Sequence, residues 1–507
     1  MKLYNTLSRN IEEVDKAAIV DKETRDTSKQ DDNNTSKQDD NNNIRVYLCG
    51  LTVYDDSHIG HARTIIFFDV LRRYLIFKGY KVKFIQNFTD VDDKIINRAK
   101  SERIKAEEIA AKYTDRYFKD FDSLNVLRAD LYPRATENIE EMINLIEGLI
   151  KKGHAYLSLN GVYFRVKSFP DYGKLSKRSI EELESGYRIE VDTSKEDPLD
   201  FALWKFYSDP PVWNSPWGKG RPGWHIECSA MALKYLGCPF EIHGGGHDLV
   251  FPHHENEIAQ SEAFSEKQFA KIWLHTGMVT INSEKMSKSL GNIVTIQQAL
   301  NRWGMNTLRI YCMSVQYSKP LDYTDKLLFE SRQKWRQIET LAYELRFAAS
   351  SKKEEERGGG ELEAVTKLSD ESMRQFEIAI EDNMNTTLAM SIFMKFVAEL
   401  NRYAAADKLT QNMAQIALGS FDNFIDILGL KVIEASDEEK KEIEELIIAR
   451  NKLRAEKNFQ SSDDIRKRLI EKYSVELMDH KDRTIWKKVE NLSQIEKDSI
   501  HGATKIN

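Results

Sequence analysis

Apolar positions along the chain fall into strand-length runs alternating with helical periods as far as about residue 325, and into helical periods alone beyond it. Ile44 to Tyr54 is an apolar-rich run that predicts a buried strand. Ala62 to Tyr80 predicts a helix, with Ile65, Ile66, Val70, Leu71 and Leu75 on its apolar face. Val82 to Asn87 returns to a strand pattern, so the three segments make a β-α-β unit. A region with its own helices and short strands follows, GVYFRV at 161–166 and DFALWKF at 200–206 among them, before the alternation resumes near 220. There it gives a helix over about 225–236, a strand FEIH at 240–243, a triple-glycine turn, a helix over about 253–264 and a strand IWLHTGMV at 272–279. The stretch 124–219 therefore reads as a domain inserted between two halves, 1–123 and 220–282, of one α/β domain. A connecting region, 283–325, leads to a helical bundle, 326–435, in which SSKKEEERGGGE at 350–361 marks an exposed loop, and then to a smaller unit, 436–507.

Residues 10–43 break the pattern. They are polar and carry a direct repeat, TSKQDDNN at 27–34 and again at 35–42, with too little to bury, so this insertion is expected to be disordered.

At 507 residues the chain exceeds one ordinary core, and 41% hydrophobic against 31% charged residues is the balance of a soluble protein. The formal charge, 74 − 81 = −7, does not announce a partner. Locally the balance reverses, because 450–488 holds twelve Lys or Arg against seven Asp or Glu, and a basic stripe of that kind suits nucleic acid. No run of roughly 18 apolar residues exists, and the start MKLYNTLSRN lacks the apolar core of a secretory signal, so a cytoplasmic protein with no membrane association is expected. Four cysteines, Cys49, Cys228, Cys238 and Cys312, are too few and too scattered for a disulfide framework.

The first strand passes into the first helix at TVYDDSHIGHART, where His58, Gly60 and His61 stand. A helix N-terminus offers free N–H groups to phosphate, Gly60 permits close approach, and imidazoles add donors. Alone, the string reads equally as two ordinary surface histidines. Downstream, Lys285 and Lys288 lie in KMSKS, a small-residue loop after a late strand. Ammonium groups there would stabilise the charge that grows on a transferring phosphoryl group and on departing pyrophosphate. Together, HIGH at a first strand-helix junction and KMSKS after a late strand resemble the paired signatures of class I aminoacyl-tRNA synthetases.

A second constellation concerns metal. Cys49 ends the first strand, Cys228 lies in GWHIECSAM, and in FPHHENE the four-residue spacing of His253 and Glu257 puts both on one helix face. From spacing alone these residues read also as packed thiols and a hydrogen-bonded surface pair. CGLTVYDDSHIGHAR, GWHIECSAM, HGGG and FPHHENEIAQSEA, however, resemble the cysteinyl-tRNA synthetases, over about 44–330 and in the family's order.

The resemblance implies an α/β, Rossmann-type catalytic domain carrying an inserted connective domain, followed by a tRNA-binding helical bundle and a small C-terminal anticodon-binding domain. It implies one Zn2+ per chain on Cys49, Cys228, His253 and Glu257, with L-cysteine, tRNA(Cys) and ATP with Mg2+ as substrates. His58 and His61 would contact ATP phosphates, Lys285 and Lys288 would act in adenylation, and Gly60, Gly244, Gly245, Gly246, Asp248 and Lys288 would hold ATP. Gly50, Thr52, Thr89, Trp224 and His243 would line the amino-acid pocket. Arg454, Phe459, Asp463 and Asp479 match anticodon-reading positions, with Phe459 standing where Trp is common. His247 matches a variable position and is given no role. A monomer that binds no DNA is expected. Zinc suits the selectivity problem, because shape alone separates near-isosteres such as cysteine and serine by only about 10–200-fold, whereas a soft metal prefers a thiolate.

Overall fold

A short antiparallel hairpin, β1 (Lys2–Asn5) and β2 (Asn10–Glu13), opens the chain in the computed structural model, which describes residues 1–14, 42–180, 182, 194–286, 290–351, 359–480 and 483–489. The predicted β-α-β unit follows as β3 (Asn43–Thr52), α1 (Ile59–Phe77) and β4 (Lys81–Thr89). Then come α2 (Asp93–Glu102), α3 (Ala106–Ser123) and α4 (Ile139–Lys151). A four-stranded antiparallel sheet is built from β5 (Ala155–Leu157), β6 (Gly161–Phe164), β7 (Phe201–Phe206) and β8 (Gly220–Pro222). Next, α5 (Trp224–Leu236), β9 (Phe240–Gly246), α6 (Glu255–Ser265) and β10 (Ala270–Thr276) complete a central parallel sheet of order β10-β9-β3-β4.

β3 shows why its sequence is an apolar run. Both faces of the sheet are covered, so alternate residues enter two different cores: Ile44, Val46 and Leu48 pack with α1, while Tyr47 and Cys49 pack with α5 and α6. α1 begins three residues earlier than its apolar period predicts, because His58 caps it, and it stops before Gly79, whose φ of 85° suits glycine.

Beyond the sheet lie β11 (Val279–Ile281), β12 (Glu284–Lys285), α7 (Ile296–Trp303), α8 (Met305–Cys312) and β13 (Leu321–Tyr323), with β12-β11-β13 forming a three-stranded sheet. The helical region consists of α9 (Asp325–Ser350), α10 (Gly359–Glu381), α11 (Thr386–Ala405) and α12 (Gln411–Leu428). The last unit is α13 (Asp437–Ala455), α14 (Phe459–Tyr473) and a hairpin of β14 (Val475–Asp479) and β15 (Thr484–Lys488), with a small core of its own around Ile443, Leu469 and Val475. A buried ion pair locks the catalytic unit to the bundle: Arg309 on α8 donates to Asp69 of α1 at 2.6 Å and to the Leu428 carbonyl at 3.0 Å.

Four expectations change. The triple glycine is not a turn, since Gly244, Gly245 and Gly246 continue β9 and pair with Leu274, His275 and Thr276. The run IWLHTGMV divides into β10 and β11, which belong to different sheets, where Gly277 packs against the Lys319 carbonyl. Asn10–Glu13 and Asn43, placed in the disordered insertion, are paired strand residues, and the repeat, save its last residue Asn42, lies outside the described residues. The glycine end of the bundle loop belongs to α10. Among the described residues no helix is long and apolar enough to cross a membrane.

Candidate active site and metal centre

At the carboxyl end of β3 the pairing with β4 slips between Leu48 and Leu51, leaving Cys49 and Gly50 in a bulge. A Cβ on Gly50 would lie 1.5 Å from the Asn87 carbonyl oxygen, so the two backbones approach as only glycine allows. The Asn87 side chain accepts the Gly50 N–H at 2.8 Å and fixes the bulge. Cys49 then faces the layer formed by α5 and α6. Cys228 arrives from α5, Glu257 from α6, and His253 from the segment Val250–His254, kinked at the extended Phe251, that leads into α6.

The four predicted metal ligands converge. Cys49 Sγ lies 3.6 Å from Cys228 Sγ and 3.2 Å from Glu257 Oε1, which is 2.9 Å from His253 Nε2, and one donor atom from each residue falls within 4.8 Å of the others. All four are buried. Two thiols, one imidazole and one carboxylate at this spacing match the donors and count of a tetrahedral zinc site. The chemistry of the donors points the same way, because sulfur and carboxylate ligands are forced together without a Lys or Arg among them. Burial pushes the Cys49 thiol well above its ordinary range, with Cys228 and Glu257 adding to the shift. Burial would lower the His253 imidazole, yet Glu257 and Cys228 hold it up at about 10. The hydrogen bond from Cys49 lowers the Cys228 thiol, and a cation at the centre would let the Cys49 thiol ionise as well.

A second set, Cys49, His243, His254 and Glu257, also falls within ligand range. Its two imidazoles already serve the first set from behind: His243 Nε2 is 2.9 Å from Glu257 Oε2 and His254 Nε2 is 3.3 Å from Cys49 Sγ. His243 is fully buried and stacks on Trp273 at 4.3 Å. His253 instead lies under Trp224, whose ring is 4.3 Å away and which is 41% exposed, so the first set is the one nearer solvent. Of the expected pocket residues, Trp224 opens to solvent, Thr89 is buried and donates to Glu227 Oε2 at 2.8 Å, Thr52 is half-buried on β3, and His243 sits behind the metal ligands.

The same strand carries the chain into α1. His58 is the N-cap, its Nδ1 accepting from Gly60 N at 3.1 Å while His61 Nδ1 accepts from His58 N at 3.3 Å. The two rings stack at 3.6 Å, and burial, with His58 alongside, holds the His61 imidazole well below its usual range and so neutral. Lys285 is exposed at the end of the β11-β12 hairpin, whose two-residue turn uses Asn282 and Ser283 at positive φ. Met286 reaches the HIGH turn, its Cε 3.2 Å from where a Gly60 Cβ would stand. Past the loop, Ile59 N donates to Val294 O at 3.1 Å and Ile296 N to Ser57 O at 2.9 Å, so the chain returns to the HIGH turn. Lys288 lies outside the described residues.

The glycines of β9 do several jobs. Gly244 makes room for the Phe68 ring of α1, which an added Cβ would meet at 1.9 Å, and Gly245 for Leu249 and the His254 ring, at 2.8 and 3.0 Å. Only Gly246 and the exposed Asp248 reach the sheet's open end beside Thr64. The sequence does not single out Asn87, Glu227, His254, His275 or His225, whose Nδ1 lies 2.9 Å from His253 Nδ1. The doublet in PHHENE and the histidine beside Trp224 were the available signals.

Residues 35–333 match a family profile described as the class I (C) tRNA synthetase catalytic domain. A cysteine–tRNA ligase of Thermodesulfovibrio yellowstonii is 47% identical over 471 residues, covering 88% of this chain and 95% of that protein. One from Carboxydothermus hydrogenoformans is 43% identical over 494 residues, covering 96% of this chain and 100% of that protein. The chain belongs to the cysteine–tRNA ligase family. The fold extends further across class I enzymes: a methionyl-tRNA synthetase of Mycobacterium tuberculosis, solved with methionyl-adenylate, superposes with a TM-score of 0.58 at 15% identity, covering 76% of this chain and 91% of that one.

In this cysteine–tRNA ligase family member the C-terminal unit pairs two of its four expected anticodon residues with each other. Asp479 accepts from Arg454 at 2.7 Å, and Arg450, which the sequence did not single out, grips both Asp479 oxygens at 2.8 and 2.7 Å. Burial would raise the Asp479 carboxyl, but Arg450 and Thr484 hold it well below the carboxylate range. Phe459 and Asp463 are exposed on α14.

Proposed function

We propose that the chain activates L-cysteine with ATP and transfers it to tRNA(Cys), with zinc on Cys49, Cys228, His253 and Glu257 selecting the thiol. The observation that carries this reading is the buried two-sulfur, one-nitrogen, one-oxygen cluster at the end of the strand that also delivers the HIGH turn. Zinc, when bound, supplies a soft Lewis acid that favours a thiolate over the hydroxyl of serine.

The chain's own groups account for the rest. The cysteine carboxylate attacks the ATP α-phosphate, pyrophosphate leaves, and a terminal ribose hydroxyl of tRNA then takes the acyl group as AMP departs; no protein nucleophile is required. ATP enters with Mg2+. The imidazoles of His58 and His61 face the phosphates at the positive end of the α1 dipole, Gly60 keeps that approach open, and Gly246 with Asp248 borders the adenosine. Lys285 and Lys288 stabilise the departing charge. Gly50, Thr52, Thr89 and Trp224 border the amino acid. Residues 1–123 and 220–282 form the catalytic domain and 124–219 its insertion, 283–325 contacts the acceptor stem, 326–435 lies along the tRNA, and 436–507 meets the anticodon through Arg454, Phe459, Asp463 and Asp479. Charging by one chain in the cytoplasm completes the reading.

ATP–pyrophosphate exchange tests it. Exchange is expected with cysteine and not with serine, lost on chelation and restored by zinc; equal exchange with both amino acids overturns metal selection. A further expectation concerns the bulge. Gly50→Ala sets a Cβ on a backbone carbonyl and is expected to lower bound metal at least about tenfold, as loss of a ligand's support does. Elemental analysis, with circular dichroism to confirm retained helices, measures it.

A further inference from the structure

The metal centre is supported from an unexpected direction. The N-terminal hairpin precedes the residues matched by the family profile, and it lies along β10, the edge strand of the central sheet. There the buried Asn5 side chain accepts from Trp273 N at 3.0 Å and donates to Lys271 O at 2.9 Å, while Thr6 N donates to Trp273 O at 2.9 Å. These bonds satisfy edge groups and seat Thr6 over the end of β10. From Thr6 a chain of contacts runs inward: Thr6 Oγ1 to His275 Nδ1 at 2.9 Å, His275 Nε2 to His254 Nδ1 at 2.7 Å, and His254 Nε2 to Cys49 Sγ at 3.3 Å. Both imidazoles are buried, and each uses both ring nitrogens in this chain.

We propose that Thr6 is a positioning residue for the metal centre, setting the orientation of the Cys49 thiolate through His275 and His254. The inference rests on the metal-binding reading above. A metal-bound thiolate can only accept, so His254 must donate through Nε2 and accept through Nδ1. His275 must then donate through Nε2 and accept through Nδ1, and the donor to that last nitrogen is the Thr6 hydroxyl. The direction of every bond is fixed from the thiolate end, and the Thr6 hydroxyl supplies the donor that this direction requires. Without the hydroxyl, His275 Nδ1 is a buried acceptor with no donor; in the other tautomer it is a buried N–H with no acceptor, and the lone pair of His254 Nε2 then faces the thiolate sulfur. The N-terminal arm thereby holds a ligand of the catalytic domain without touching the metal or the substrate.

The test uses the full chain, loaded with zinc and challenged with a chelator. Thr6→Val keeps the shape and removes the hydroxyl; it is expected to lose roughly tenfold in zinc affinity, the lower end of what outer partners of metal ligands contribute. Thr6→Ser restores the hydroxyl and is expected to recover the wild-type affinity. Zinc affinity of Thr6→Val within twofold of wild type overturns the proposal while leaving the metal site intact. Equal losses in Thr6→Val and Thr6→Ser also overturn it, since packing and not the hydroxyl would then matter. A wild-type chain that binds no zinc overturns both this inference and the reading on which it rests.

Discussion

Cys228→Ala is expected to leave the chain folded and to reduce cysteine-dependent pyrophosphate exchange by more than about 100-fold. Cys228 is one of two sulfur donors in a buried cluster, and its loss leaves Cys49, His253 and Glu257 with three mismatched donors. Outer-partner mutations alone cost about 10–100-fold in metal affinity or activity, so removal of a ligand should exceed that range. Residual activity should also lose its selectivity, with cysteine favoured over serine by no more than the roughly 10–200-fold that shape provides. The substitution trims one sulfur from α5 and leaves the helix itself intact, so circular dichroism should match the parent chain. Exchange rates with both amino acids, read beside metal content, check the expectation.

The second large effect is kinetic. Lys288→Ala is expected to slow adenylate formation by about 10²–10³-fold, the loss typical when one donor to developing charge is removed, with the KM for cysteine and the metal content unchanged. Met286, two positions before Lys288, leaves the β11-β12 hairpin beside the HIGH turn, its Cε 3.2 Å from where a Gly60 Cβ would stand, and departing pyrophosphate would lie at that turn. Single-turnover measurement separates this step from binding. Unchanged adenylation would remove Lys288 from the mechanism.

Much of this site was legible because its signals are local. The HIGH string sits where an apolar strand gives way to a helical period, and His58 does cap α1. His253 and Glu257 were placed together by four-residue spacing, which survived although His253 belongs to the kinked segment before α6 rather than to α6. What escaped depends on neighbours distant in sequence. The bulge at Cys49 and Gly50 needs the pairing with β4 to exist, and no pattern within β3 announces it. The glycines at 244–246 read as a turn because glycine usually marks one; here Phe68 and His254 fill the space that side chains would take. His254, adjacent to a ligand, points to the far side of Cys49, and its partner His275 lies on another strand, so no spacing rule joins them. The same holds for Arg450, whose grip on Asp479 spans 29 positions.

X-ray absorption at the zinc edge tests the central claim most directly. With two protein sulfurs on the metal in the free enzyme, added cysteine should raise the sulfur count to three while added serine leaves it at two. A count that stays at two with cysteine bound, or a natively purified chain without zinc, would contradict selection of the amino acid by its metal.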